Sequence, residues 1–90
     1  MRLSVFPTSR FEQDVKRAQK RGKDTAKLRE VIRLLMTENP LPATYRDHPL
    51  GGEWKGYRDC HLEPDWVLIY KIEDATLRLI RTGTQADLFK

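Results

Sequence analysis

Ninety residues, 39% of them apolar and 33% charged, make a single domain with a modest core, because a chain of this size buries only about two thirds of its extended surface. The apolar content is too high for a disordered chain, and the lone Cys60 leaves neither an internal disulfide nor a C-x-x-C pair for a structural zinc. A net charge of +4 points to a polyanionic partner, either RNA or an acidic protein.

The opening stretch MRLSVF meets Pro7 and then charged sequence. No apolar run there is long enough for a signal peptide or a membrane span, so a cytoplasmic protein with no membrane partner is expected. Arg2 to Phe6 reads as a short strand, with Leu3 and Val5 on one face and Pro7 as its stop. Thr8 or Ser9 then caps a helix whose Phe11, Val15 and Ala18 share one stripe, with Gly22 ending it. Asp24 or Thr25 starts a second helix carrying Leu28, Val31, Ile32 and Leu35, closed by Asn39-Pro40. The short link predicts an antiparallel helical hairpin. Between Arg10 and Arg33 nine basic residues face four acids, which fits either the solvated faces of two helices or a nucleic-acid surface.

Pro40, Pro42, Pro49 and Gly51-Gly52 make LPATYRDHPLGGE a long irregular loop. Trp54–Leu62, Val67–Ile72 and Thr76–Thr82 read as three strands joined by Glu63-Pro64-Asp65 and Glu73-Asp74-Ala75, close enough for an antiparallel meander. The predicted class is α+β, with the helical hairpin on one face of a curved antiparallel sheet and the other face polar or occupied. Alternation from Trp54 puts Trp54, Gly56, Arg58, Cys60 and Leu62 on one side, mostly core, and Lys55, Tyr57, Asp59 and His61 on the other. Cys60 and His61 then diverge, so they do not share a metal, and no metal or other cofactor is expected. Arg81 falls in phase with Leu77 and Leu79, so either it lies past the core edge or those leucines line a second apolar patch.

His48 in the loop, His61, Asp65, Trp66 and Arg81 can gather near one end of such a sheet. Two imidazoles, a carboxylate, an arginine and aromatic rings are what metal-free RNA cleavage needs. A base takes the 2′-OH proton, a cation stabilises the phosphorane charge, an acid protonates the leaving 5′ oxygen, and rings hold the splayed bases. Imidazole fits the proton-transfer roles because its ordinary pKa of about 6.5 keeps both forms available near neutrality.

DHPLGGEWKGYRDCHLEPDWVLIYKI followed by LRLIRTGTQADLF resembles the YafQ family of toxins in the RelE/ParE superfamily. The likeness covers nearly the whole chain, and the HPL, WKGYRD, EPDW and RTGT stretches make it specific. It implies a RelE-like fold and a ribosome-dependent mRNA endoribonuclease that acts on the message in the A site of the 70S ribosome. Such a toxin is neutralised by a cognate acidic antitoxin of the DinJ type. The functional set carried over comprises His48, His61, Asp65, Trp66, Arg81 and Phe89, together with position 85; from the strand alternation, Tyr57 and Lys55 on the His61 face join Trp66 as expected RNA-binding residues. Position 85 departs from the pattern: the family places a proton-donating histidine where this chain has Gln85. Glutamine donates hydrogen bonds but has no titratable proton, so attenuated cleavage is expected, whether the exchange is natural or introduced. The alternatives are a non-catalytic ParE-like toxin binding a protein such as gyrase, and a bare RNA-binding module.

Overall fold

The computed structural model describes residues 2–89. In chain order it contains β1 (Ser4–Pro7), α1 (Ser9–Lys20), α2 (Thr25–Met36), β2 (His48–Pro49), β3 (Arg58–Glu63), β4 (Trp66–Glu73), β5 (Thr76–Gly83) and a short α3 (Gln85–Leu88). The strands form one sheet in the order β1-β5-β4-β3-β2. Its pairs are antiparallel except that β1 runs parallel to β5, so the sheet is mixed and not antiparallel throughout. The two helices carry the chain away from β1 before the meander begins, so no hairpin dictates that pairing. As an edge strand β1 tolerates Pro7, which pairs with Leu79. Leu3 lies just before the strand and is buried, whereas Val5 is exposed.

Local chemistry sets the helix ends. The Thr8 hydroxyl accepts the Phe11 N–H at 3.1 Å, and the Asp24 carboxylate accepts that of Ala26 at 3.0 Å. At the end of α1, Gly22 takes a left-handed φ of 80°. There the N–H groups of Gly22 and Lys23 reach back to the carbonyls of Gln19 and Ala18, a paired closure that a left-handed residue makes possible. Helix α2 ends the same way through Glu38, φ 59°, with the Asn39 N–H bonded to the Leu34 carbonyl.

The segment expected to be irregular, 40–53, is more ordered than its prolines suggest. A 3₁₀ turn at Ala43–Tyr45 precedes β2, which pairs with β3 through His48↔Asp59 and Pro49↔Arg58. Pro49 is allowed because β2 is the sheet's other edge. The following strand starts at Arg58, not Trp54. Gly52–Trp54 form a second 3₁₀ turn, and Gly56 has φ 96°. The alternation drawn from Trp54 therefore breaks, and Trp54 packs on the same side as Tyr57.

Two apolar clusters divide the sheet. The helix-side core joins Phe11, Leu28, Val31 and Leu35 to Cys60, Trp66, Leu68, Tyr70, Leu77 and Leu79. On the opposite face Val67, Ile69 and Leu88 pack with Leu50, Trp54, Tyr57 and Ile80, so that face is occupied rather than open. Truncating a fully buried member of the larger core such as Leu77 costs about 2–5 kcal/mol. In β5, Tyr70 pairs with Leu79 but Ile69 pairs with Arg81, leaving Ile80 as an inserted residue. This bulge resolves the phase of Arg81: Leu77 and Leu79 stay in the helix-side core, and the alternation is reset before Arg81.

Candidate active site

Strand pairing brings the two histidines together. His48 sits opposite Asp59, and His61 lies two residues along β3 on the same face. The imidazole centroids are 6.0 Å apart with an interplanar angle of 26°. His48 Nδ1 lies 2.8 Å from the Arg46 carbonyl. A carbonyl only accepts, so Nδ1 carries hydrogen and Nε2 is turned to Asp59 Oδ1 at 3.0 Å. Asp59 is 3% exposed. Among the described residues its Oδ1 has no other donor, so a proton must lie between that oxygen and Nε2 for the contact to be favourable. Burial pushes the Asp59 carboxyl above the ordinary carboxylate range, opposed by the charge of His48 and His61. Asp59 was placed beside His61 by alternation, but only the unforeseen β2 brings His48 to it.

His61 is half-buried and borders an open cleft of about 310 Å³ shared with Thr44, Arg46, Leu62, Glu63, Pro64 and Gln85. Arg46 was not foreseen there. It adopts a left-handed backbone, φ 49°, which aims its carbonyl at His48 and leaves its side chain in the cleft. Such a conformation is costly for a non-glycine residue and collects at functional sites. Gln85 is held by its backbone: its N–H reaches Asp65 Oδ1 at 3.2 Å. Asp65 thus ties the start of α3 to the β3–β4 turn. Thr84 and Asp87 close that helix reciprocally, the Thr84 hydroxyl accepting the Asp87 N–H and Asp87 Oδ2 accepting the Thr84 N–H. Arg21 binds the same Oδ2 at 2.8 Å.

Arg81 stands in the same cross-strand row as His48, Asp59 and Ile69, but its guanidinium is drawn away. Nε and Nη2 donate to Asp14 on α1 at 2.6 and 3.1 Å, and Asp14 also accepts the Thr82 N–H. Asp14 is buried, a carboxylate inside a helix stripe that periodicity alone does not reveal. Trp66 is corrected from RNA platform to core residue. It is 1% exposed, and its indole N–H donates to the Thr82 hydroxyl at 2.9 Å. The aromatic group nearer the surface lies elsewhere: half-buried Trp54 meets half-buried Tyr57 edge-on at 5.6 Å and exposed Phe89 at 6.1 Å, while Lys71 lies over Tyr57 at 5.2 Å. Lys55 is exposed beside this group. Trp54 is thus the aromatic that sequence reading assigned to the wrong face.

Comparison with known proteins bears on this geometry. A family model described as the bacterial toxin of a type II toxin-antitoxin system, YafQ, matches residues 3–90. The mRNA interferase toxin YafQ of Escherichia coli K12 is 58% identical over 83 residues, 91% of this chain and 90% of that protein. In the crystal structure of the E. coli DinJ-YafQ toxin-antitoxin complex, a chain 53% identical superposes with a TM-score of 0.92, covering 100% of both. A metal-bound toxin from Helicobacter pylori is 42% identical, with a TM-score of 0.91 over 97% of this chain and 99% of that one. The chain belongs to the YafQ family, toxins of bacterial type II toxin-antitoxin systems.

Proposed function

We propose that this toxin is an endoribonuclease that cleaves mRNA in the ribosomal A site, attenuated by Gln85 and neutralised by an acidic DinJ-like antitoxin. The observation that carries this reading is the stacked His48–His61 pair at the mouth of a cleft that also holds Arg46 and Gln85. The E. coli relatives, an mRNA interferase and a toxin complexed with DinJ, support the same class and partner.

In this reading His61 is the base, since His48 is committed at both nitrogens and Asp65 holds the α3 backbone. His61 takes the 2′-OH proton, O2′ attacks phosphorus, and the P–O5′ bond breaks to leave a 2′,3′-cyclic phosphate. Arg46 in the cleft, and Arg81 once released from Asp14, neutralise the charge on the phosphorane oxygens. Gln85 hydrogen-bonds the departing O5′ but supplies no proton, which must come from water. Trp54, Tyr57 and Phe89 offer ring faces and edges to splayed bases. No step requires a metal, although the H. pylori relative is metal-bound. A ParE-like binder of a protein target has no use for a histidine pair of this kind.

The test is to map message ends on translating ribosomes with purified Gln85→His protein. Codon-phased cuts bearing cyclic phosphate ends are expected, and intact message at all protein concentrations would remove the nuclease reading.

A further inference from the structure

We propose that Asp47, whose side chain turns away from the cleft, is a positioning residue that fixes Arg46 and His48, its two chain neighbours, for RNA cleavage. The anchoring stands on geometry alone, while its effect on cleavage rests on the endoribonuclease reading.

Asp47 lies between the two residues that the loop sends into the site, yet its own carboxylate goes elsewhere. Its Oδ1 accepts the Tyr70 hydroxyl at 2.5 Å and the Arg58 Nε–H at 3.2 Å. Tyr70 and Arg58 are cross-strand partners on β4 and β3, and so are their neighbours Ile69 and Asp59. Ile69 belongs to the cluster on the cleft face and Tyr70 to the helix-side core. Asp47 is therefore held from the helix side, while His48, the next residue, turns to Asp59 on the other. Tyr70 is 1% exposed, which gives the anchor a rigid base. Burial first, and then the bond to Asp47, push the Tyr70 hydroxyl above the ordinary phenol range, so it keeps its proton and donates it.

The segment needs such an anchor. Strand β2 has only two residues, one of them proline, fewer than backbone pairing ordinarily uses to set a strand. Arg46 holds a left-handed φ of 49°, which a non-glycine residue keeps only where its surroundings impose it. Among the described residues, the side-chain bonds tying 46–48 to the sheet are the two made by Asp47 and the His48–Asp59 contact. With Asp47 fixed from behind, the Arg46 carbonyl meets His48 Nδ1 at 2.8 Å and the Arg46 side chain lines the cleft.

Two variants test this. Tyr70→Phe removes one hydroxyl and keeps the core ring, and Asp47→Ala removes the carboxylate. Leu77→Val, a core change on β5, controls for general loss of stability. Nitrogen-15 NMR of the imidazoles at about pH 8.5, above their ordinary pKa of about 6.5, reads the anchoring. Wild type and Leu77→Val should carry the proton on His48 Nδ1. In Tyr70→Phe and Asp47→Ala it should shift towards Nε2, the tautomer that free histidine prefers, and an unchanged Nδ1 signal in both would overturn the anchor. In the Gln85→His background both changes should lower kcat/KM about 10- to 100-fold, as small misplacements of reacting groups do. Asp47→Asn, which keeps an acceptor oxygen, should retain most of the activity, and Leu77→Val should match its parent. Full kcat/KM in Tyr70→Phe and Asp47→Ala refutes the positioning role. No cleavage by the Gln85→His parent refutes the nuclease reading and with it the effect on cleavage, while the NMR result still judges the anchor.

Discussion

Arg46 and Gln85 face the same cleft as His61, yet they were legible in the sequence to different degrees. Gln85 stands out because it replaces an expected histidine in an otherwise intact tail. Arg46 gives no signal, because its importance comes from a left-handed backbone and from a carbonyl aimed at His48. A charged hydrogen bond to phosphate is worth about 1.5–3 kcal/mol. Arg46→Ala in the Gln85→His background should therefore lower kcat/KM about 10- to 150-fold while the thermal midpoint stays within a degree or two. An unchanged kcat/KM would take Arg46 out of the phosphate contact. Asp14 was equally hidden: in a helix of charged residues, nothing marks one carboxylate as the buried anchor of Arg81.

At the scale of elements, α3 is the piece that keeps Gln85 in the site, and four residues do not hold a helix without outside support. The Arg21 hydrogen bond, followed by the Thr84 backbone N–H, holds the Asp87 carboxyl well below the ordinary range, with Arg17 adding a smaller attraction. Asp87 in turn acts on Arg81. A depressed folded-state pKa gives stability that is complete above the unfolded value of about 3.9 and is lost as pH falls through the folded one. The thermal midpoint should fall between pH 5 and pH 2.5 by more in wild type than in Asp87→Asn, and equal slopes would show that the cap contributes nothing. The β4–β5 turn offers another check. Asp74 and Ala75 both have positive φ, 52° and 56°, and alanine is strained there where glycine is not. Ala75→Gly should stabilise the fold by up to about 1 kcal/mol in urea unfolding, and a loss of stability would refute the strain. Both helices and the meander were readable because period and punctuation agreed. Strand β2 was not, since two residues ending in proline carry no period, and its pairing was decided by β3. The same omission hid the His48–Asp59 contact.

Across the whole molecule, excess positive charge and a cleft lined by His61 and Arg46 are the reason the proposed RNA binding is expected to be largely electrostatic. If roughly three phosphates are engaged, the logarithm of the affinity for a short single strand should fall against the logarithm of salt with a slope of about −2. A flat dependence in fluorescence anisotropy would show that the basic surface does not meet RNA. Fold class was legible because the sequence motifs are specific, but the arrangement of the candidate residues was not: the β5 bulge resets the phase of Arg81, and burial removes Trp66 from any base. The central claim of the proposed mechanism is that His61 takes the 2′-OH proton. The direct measurement is single-turnover cleavage of ribosome-bound message by the Gln85→His protein with and without His61→Ala. The rate should drop about 10²- to 10⁴-fold on losing the imidazole, and equal rates for the two proteins would contradict the account.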